Sequence, residues 1–343
     1  MNWKRFLHYE FWPYWVFYIP AYFYYFYLAI KLKRWVYFSV LNPCMKFGGA
    51  FLSSKHNYLK KIPTEWTPKT LYISDFNSLE TLTSQLEDNS LTFPLIAKPD
   101  MGERGRNVEL IATLKALEQY LETINQPVLL QEYIDYPIEI GILFYWDSDR
   151  NPHITSVGAK EFCKLTGDGI RTLETLVKDH HRITHRKAIL KKRFQTQWHQ
   201  IIPKGKQLLV EPIGNHNRGT TFLDAREHKS KEMLDWIKNC LEHLPDFDYG
   251  RIDLKIESWE AFKNNKGLKI LEINGVNSEP IHIYDPSCSI WSAYASIFEH
   301  MHIIYTLSKN KLNTQSKTPS LFEFISGARV VLSKKGTPQI SYS

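Results

Sequence analysis

The sequence predicts an α+β fold, and three observations lead there. From residue 69 onward, short strand-like runs and amphipathic helical runs alternate irregularly. Several consecutive strand runs lie close enough to pair as antiparallel hairpins, which a doubly wound parallel sheet would not show. A separate aromatic section precedes both. The expected organisation is an aromatic N-terminal segment over 1–60, a main domain over 61–310 with lobes at about 61–135 and 136–310, and a polar tail over 311–343. At 343 residues the chain can bury one large core or two to three lobes. Its 43% hydrophobic and 23% charged content excludes a disordered chain.

Each element has its own signal. KTLYIS (69–74) alternates as a strand, and SLETLTSQL (78–86) is a helix with Ser78 as its N-cap. FPLIAKPD (93–100) and VELIA (108–112) are strands, and TLKALEQYLETIN (113–125) carries helical apolar spacing. PVLLQEYI (127–134), IEIGILFYW (138–146) and HITSVGAKEF (153–162) are strands, followed by the turn TGDGIRT and a helix over TLETLVKDH. LLVEPIGN (208–215) is a strand, HKSKEMLDWIKNCLEHL (228–244) a long helix, YGRIDLKIES (249–258) and KGLKILEIN (266–274) strands, and 289–307 the last helix. The tail beyond 310 is polar, with order expected at LFEFISGARVVLS.

Residues 11–30, FWPYWVFYIPAYFYYFYLAI, carry no charge and are formally long enough to span a bilayer. They are rich in Tyr and Trp, contain Pro13 and Pro20, and run directly into KLKRW. Three arrangements fit: an aromatic hairpin packed on the body, an interfacial helix giving peripheral membrane contact through 11–40, and a span. No small-residue cleavage site follows, so a cytoplasmic protein, or one at the inner face of the membrane, is expected. The four cysteines (44, 163, 240, 288) show no CxxC pair and indicate neither a disulfide framework nor a zinc site. A net charge of +7 points to an anionic partner, but the basic residues are scattered apart from HRKAILKKR (185–193). Without a nucleic-acid motif, nucleic acid is not expected.

The chemistry-bearing residues converge on a nucleoside triphosphate and its metal. LIAKPDMGERGRNVELI (95–111) places Lys98 on a strand before a turn with Gly102 and Gly105. Glycine lets backbone N–H groups approach phosphate oxygens, and the lysine supplies a point charge. The arrangement is not a P-loop, because the lysine precedes the glycines and no helix follows at once. In QEYIDYPIEIGILFY (131–145), Gln131, Glu132, Tyr133 and Ile134 offer backbone groups to an adenine and Glu139 a carboxylate to a ribose. Strand alternation projects Glu272 and Asn274 of LKILEINGVNSEP to one face, and Asp253 sits on the preceding strand in RIDLKIES. Carboxylate and carboxamide oxygens suit a hard cation such as Mg²⁺.

KPDMGERGRNV, QEYI, IEIGI, GRIDLK and LEINGVNSEP, in this order and spacing, resemble the ATP-grasp superfamily, which includes D-alanine–D-alanine ligase, glutathione synthetase and cyanophycin synthetase. The resemblance covers roughly 55–300. TGDGIRTLETLV (166–177) and NRGTTFLD (217–224) are similar to segments of the cyanophycin synthetase-like branch, and the E-F-W-P stretch to that of a bacterial group. The resemblance implies two α+β subdomains clamping ATP between antiparallel sheets, a nucleotide lobe and then a catalytic lobe. It implies Lys98 and Lys160 on phosphates, Gln131 to Ile134 on adenine, Glu139 on ribose, and Asp253, Glu272 and Asn274 on Mg²⁺, with Mn²⁺ as a substitute. Lys55 falls where an early nucleotide-side lysine sits, and Arg251 where an arginine steadies an acyl-phosphate. The implied activity is ATP-dependent joining of a small or peptide-like carboxylate to an amine. A kinase and a non-catalytic ATP-binding module are the alternatives. The Gly102–Gly105 turn is the expected flap and a 158–169 loop the expected lid. Of the histidines, only His216 is expected near substrate, and 182–193 is expected as a solvated face. The chain lacks the full N-terminal α/β domain with which such ligases help bind the acceptor, and the role of 42–55 is not legible in its chemistry.

Overall fold

The computed structural model describes residues 8–51, 53–102, 105–314 and 317–334. Two antiparallel sheets organise it. The first has four strands, β1 (Thr70–Ile73), β2 (Leu95–Pro99), β3 (Glu109–Ile111) and β4 (Val128–Glu132), in the order β1-β4-β2-β3. Helices α4 (Leu79–Asp88) and α5 (Leu114–Thr123) cover it, packing Leu82, Leu86, Leu117 and Tyr120 onto Leu95, Ala97 and Leu130. Ser78 and Thr113 cap these helices by accepting the backbone N–H of Thr81 and Ala116.

The second sheet has five strands in the order β11-β10-β5-β6-β9: β5 (Ile138–Trp146), β6 (Pro152–Glu161), β9 (Thr221–Asp224), β10 (Tyr249–Ile256) and β11 (Leu268–Asn274). Its hydrophobic face rests on α8 (Lys231–Glu242), whose Met233, Trp236, Ile237, Cys240 and Leu241 repeat at helical spacing and are all buried. A short ladder of β7 (Lys164–Thr166) and β8 (Gln207–Leu209) joins α6 (Leu173–Asp179) and α7 (Lys187–Arg193) around Trp198 in a third core.

The N-terminal segment folds as α1 (Tyr14–Phe17) and α2 (Ile19–Leu32), which pack along α10 (Ile290–Asn313). Tyr294 donates to the Phe17 carbonyl at 3.0 Å, and the Tyr24 ring meets Phe298 at 5.2 Å. The packed reading therefore holds for one face, while the opposite face stays exposed. The span reading does not survive: no helix among the described residues is long and apolar enough to cross a membrane. The stretch breaks at Tyr18, whose ψ of 4° ends α1. After it, α3 (Lys55–Leu59) leads into the first sheet, and α9 (Trp259–Lys263) links β10 to β11.

Other expectations change. Residues 158–161 belong to β6 and 164–166 to β7, so 158–169 is no free lid. Residues 210–215 leave the ladder after Leu209, because Glu211 turns inward to meet three arginines. The 182–193 segment is not wholly solvated: Arg182 and Arg186 are buried against Glu10 and Glu211. The last long helix runs on to Asn313, since Leu312 packs inward and Lys311 pairs with Asp248 at 2.6 Å. Within the polar tail, α11 (Leu321–Lys334) forms, with Phe324 against Phe38, Phe47 and Phe51. Residues 1–7 of the aromatic segment, 103–104 of the flap turn and 335–343 of the tail lie outside the described residues.

Candidate active site

A cleft of about 670 Å³ lies between the two sheets. It brings together every site residue expected from the sequence: Lys55, Lys98, Gly102, Gly105, Gln131, Glu132, Tyr133, Ile134, Glu139, Lys160, Arg251, Asp253, Glu272 and Asn274.

The β10–β11 pairing builds the acidic end. Asp253 stands opposite Glu272 and Arg251 opposite Asn274 in register, with a bulge just after Asp253. Cross-strand partners put their Cβ atoms about 5 Å apart, so the strand pair presents two carboxylates and a carboxamide side by side. Arg251 grips Asp253 through two bonds, from Nε at 2.6 Å and Nη2 at 3.0 Å, and its Nη1 donates to the Glu279 carbonyl at 3.2 Å. The Asn274 amide lies 3.4 Å from the same carboxylate. Burial of Asp253 opposes its charge, but Arg251 and Lys160 outweigh that and hold its pKa below the ordinary carboxylate value. Glycine at 141 makes room, since a Cβ there would lie 2.9 Å from the Asp253 carboxylate.

Three further cations come from other elements, and Lys255 from β10 itself. Lys160, on β6 opposite Glu139 of β5, donates to the Glu139 carboxylate at 2.6 Å and lies 3.7 Å from Asp253. Burial opposes its charge, yet Asp253 and Glu139 raise its pKa above the ordinary lysine value. Lys98 is buried on β2 and donates to the Leu271 carbonyl at 2.9 Å. Burial pulls it down to about 8, with Glu272 working against the shift. Lys55, at the start of α3, donates to the Gly102 carbonyl at 2.8 Å and pairs with Glu272 at 3.4 Å. Lys255 donates to the Ile134 carbonyl at 2.7 Å and lies 5.1 Å from the Tyr133 ring centre, tying the linker after β4 to the second sheet.

Residues 53–141 match the family model of the RimK-like ATP-grasp domain. The matched segment contains the first sheet and ends within β5, so Lys160, Arg251, Asp253, Glu272 and Asn274 lie beyond it. Among solved structures, D-alanine–D-alanine ligase from Bacillus anthracis aligns with 76% of this chain and 68% of its own, at 12% identity and a TM-score of 0.43. VanG D-Ala:D-Ser ligase from Enterococcus faecalis aligns with 76% and 62%, at 13% identity and a TM-score of 0.43. A bifunctional glutathione synthetase from Pasteurella multocida aligns with 73% of this chain but 36% of its own, at 14% identity and a TM-score of 0.39. No protein of curated function matches the chain in sequence.

The donor set around the cleft suits Mg²⁺ in its chemistry: all-oxygen, with two carboxylates and one carboxamide. Among the described residues no group of three or more His, Cys, Asp or Glu is poised for a metal, so a carboxamide and phosphate oxygens would have to complete the shell.

Sequence reasoning missed two contributors. The first is the 42–55 stretch. Asn42 is fully buried and accepts from the backbone of Asp248 and Tyr249 at 2.7 and 3.0 Å. It also donates to the carbonyls of Gly48 and Tyr249. Gly48 and Gly49 take φ of +70° and +83° and lie against Gly275, where a Cβ on Gly49 would come within 2.8 Å of the Gly275 Cα. Val276 then donates to the Gly48 carbonyl at 3.0 Å, so this stretch buttresses the loop that follows Asn274. Its signal was the glycine pair itself, which marks a close backbone approach.

The second contributor is the E-F-W-P stretch: Tyr9, Glu10, Trp12, Tyr14 and Phe17 line the same cleft, facing His216, Glu279 and Tyr284. Glu10 is held by Arg182 at 2.9 and 3.0 Å and by His216 at 3.4 Å. His216 therefore lines the cleft. His282 is a core residue, hydrogen-bonded to Ser156 at 2.7 Å and lowered to about 4 by burial. Asp168 of the GDG turn does not line the cleft; it caps its own loop by accepting from Ile170 and Arg171.

Proposed function

We propose that this chain is an enzyme, an ATP-dependent carboxylate–amine ligase that works through an acyl-phosphate and releases ADP and phosphate. One observation carries the reading. Four cationic side chains (Lys55, Lys98, Lys160, Arg251) and the Asp253, Glu272, Asn274 set meet in the cleft of an ATP-grasp domain. In this reading the backbone of Gln131 to Ile134 receives adenine, Glu139 the ribose, and Lys98 and Lys160 the phosphates. Asp253, Glu272 and Asn274 hold Mg²⁺, which would neutralise charge on the phosphates. Arg251, already aimed along the cleft floor by Asp253, offsets charge on the transferred phosphoryl group. The Gly102 and Gly105 turn closes over the nucleotide and keeps water from the acyl-phosphate. Arg218 supports that turn, donating to the Gly105 and Val108 carbonyls at 2.8 and 2.9 Å.

In the same reading the aromatic stretch over 9–17 takes the acceptor side. Glu279 makes no ion pair among the described residues, apart from its carbonyl contact with Arg251, and accepts from the Tyr284 hydroxyl at 2.8 Å. A carboxylate among tyrosines suits the ammonium of an amine substrate.

The test is ADP and phosphate release from Mg²⁺-ATP with pooled carboxylates and pooled amines. We expect release that needs both pools and disappears in Glu272→Gln with the melting temperature kept. Glu272 is the better blank than Asp253: its side chain is 32% exposed, whereas Asp253→Asn strips Arg251 and Lys160 of a buried partner and costs about 3–5 kcal/mol. Full turnover by Glu272→Gln would sink the metal assignment. ADP without free phosphate would make the protein a kinase, and nucleotide binding without turnover a non-catalytic module.

A further inference from the structure

Helix α2 carries no charge before Lys31 and is only half covered. Ala21, Leu28 and Ala29 are buried on the side of α10. On the other side Ile19, Phe23, Phe26, Tyr27 and Ile30 recur at helical spacing and face solvent, Phe23 at 73% and Ile30 at 64% exposure. Trp15 (65% exposed) and Trp35 flank the stripe at its two ends. Leaving large rings in water over the length of a 14-residue helix is unfavourable, and an uninterrupted apolar stripe of this kind marks a contact surface.

Charge identifies what it contacts. Lys31, Lys33 and Arg34 cluster at the C-terminal end of the stripe, and the sequence has no Asp or Glu between Glu10 and Glu65. Lys31 stays close to the stripe, 5.8 Å from the Tyr27 ring centre. A second copy docking about a two-fold axis would offer this acid-free surface to itself, with no carboxylate to meet the cations. Tyr and Trp flanking aliphatic side chains, with a basic cluster alongside, instead match the headgroup layer of an anionic bilayer.

We infer that α2 is a peripheral membrane-docking helix. It lies in the plane of an anionic lipid surface, its aromatic stripe in the headgroup region and Lys33 and Arg34 on the lipid phosphates. Because Tyr14 both lines the cleft and precedes Trp15, docking brings the aromatic edge of the cleft to the lipid surface.

The test uses the full chain in co-sedimentation with phosphatidylcholine vesicles, with and without phosphatidylglycerol. We expect binding to the anionic vesicles, a blue shift of tryptophan emission on binding, and release as salt is raised. Lys33→Gln with Arg34→Gln should weaken binding on the order of thirtyfold. Phe23→Ser with Ile30→Ser should abolish it, all variants keeping the wild-type melting temperature because the replaced side chains are exposed. Absence of binding to anionic vesicles, or equal binding to both kinds, would overturn the inference. So would a dimer in light scattering that Phe23→Ser dissociates, which would assign the stripe to a second copy. The assay needs no turnover, so it fails or succeeds apart from the ligase reading.

Discussion

Asn42→Ala tests how the 42–55 stretch supports the cleft. The side chain makes four buried hydrogen bonds, accepting from Asp248 and Tyr249 N–H and donating to the Gly48 and Tyr249 carbonyls, all between 2.7 and 3.0 Å. Each such bond contributes about 0.5–1.5 kcal/mol net, and a buried group left without a partner costs more. Some of that is recovered where the cavity admits a water. The expected loss is about 3 kcal/mol, or a fall in melting temperature of roughly 4 °C for a chain of this size. Thermal unfolding followed by tryptophan emission measures it, with exposed Asn57→Ala as the control, expected within about 0.5 kcal/mol of wild type. Amide exchange locates it: protection should fall at Asp248 and Tyr249 and, through the freed Gly48 carbonyl, at Val276. A melting temperature within 1 °C of wild type, with Val276 still protected, would refute the argument that Asn42 holds the loop after Asn274.

Two further outcomes follow from the charges. Lys98 has its pKa lowered to about 8 by burial, so it is neutral above that pH in the free protein, whereas a bound polyphosphate demands the cation. ATP affinity should therefore fall as pH rises above about 8, approaching tenfold per unit, and titration calorimetry of Lys98→Arg should show a flat profile. Glu10 has its carboxyl lowered by His216 and Arg182 against the opposing effect of burial, so its stabilisation is present above the ordinary carboxylate pKa and is lost as pH falls through the lowered one. Glu10→Ala leaves Arg182 buried without its partner and should cost about 3–5 kcal/mol, read as faster amide exchange over residues 9–17. The double variant with Arg182→Ala should recover most of that loss, and a double variant no better than the single one would refute it.

The two sheets and the cleft were legible because their signals are local. Alternation fixed which face of β11 carries Glu272 and Asn274, and Ser78 and the apolar spacing of α8 marked helices that form where expected. The failures were long-range. Strand β9 pairs with β6 across some sixty residues, and nothing in TFLD announces a fifth strand. Glu211 lies in what alternates like a strand, but a carboxylate with 1% side-chain exposure collects Arg186, Arg193 and Arg218, and that network decides the backbone. The same network buries Arg186, on a stretch expected to be a solvated face. The 42–55 stretch and Tyr9–Phe17 contribute shape to the cleft, and shape has no signature in residue type.

Each of the four cationic side chains proposed to meet the nucleotide already has a partner. Lys160 holds Glu139, Arg251 holds Asp253, Lys55 meets Glu272 and the Gly102 carbonyl, and Lys98 meets the Leu271 carbonyl. These pairs keep buried charges neutralised before any ligand arrives, which a cleft of this depth requires, since an uncompensated buried charge costs several kcal/mol. A triphosphate must therefore exchange partners rather than fill bare sites. Its oxygens take over the lysines, and the released carboxylates, Glu139, Asp253 and Glu272, are the groups proposed for ribose and Mg²⁺. Nucleotide without the cation would set its own charge beside those freed carboxylates, and the cation without nucleotide would have to compete with Lys55, Lys160 and Arg251. Binding of the two should accordingly be strongly coupled, each tightening the other by the same factor. That coupling is a property of the pairing pattern, and it is why Glu272, paired at 3.4 Å and partly exposed, can be neutralised without dismantling the fold while Asp253 cannot.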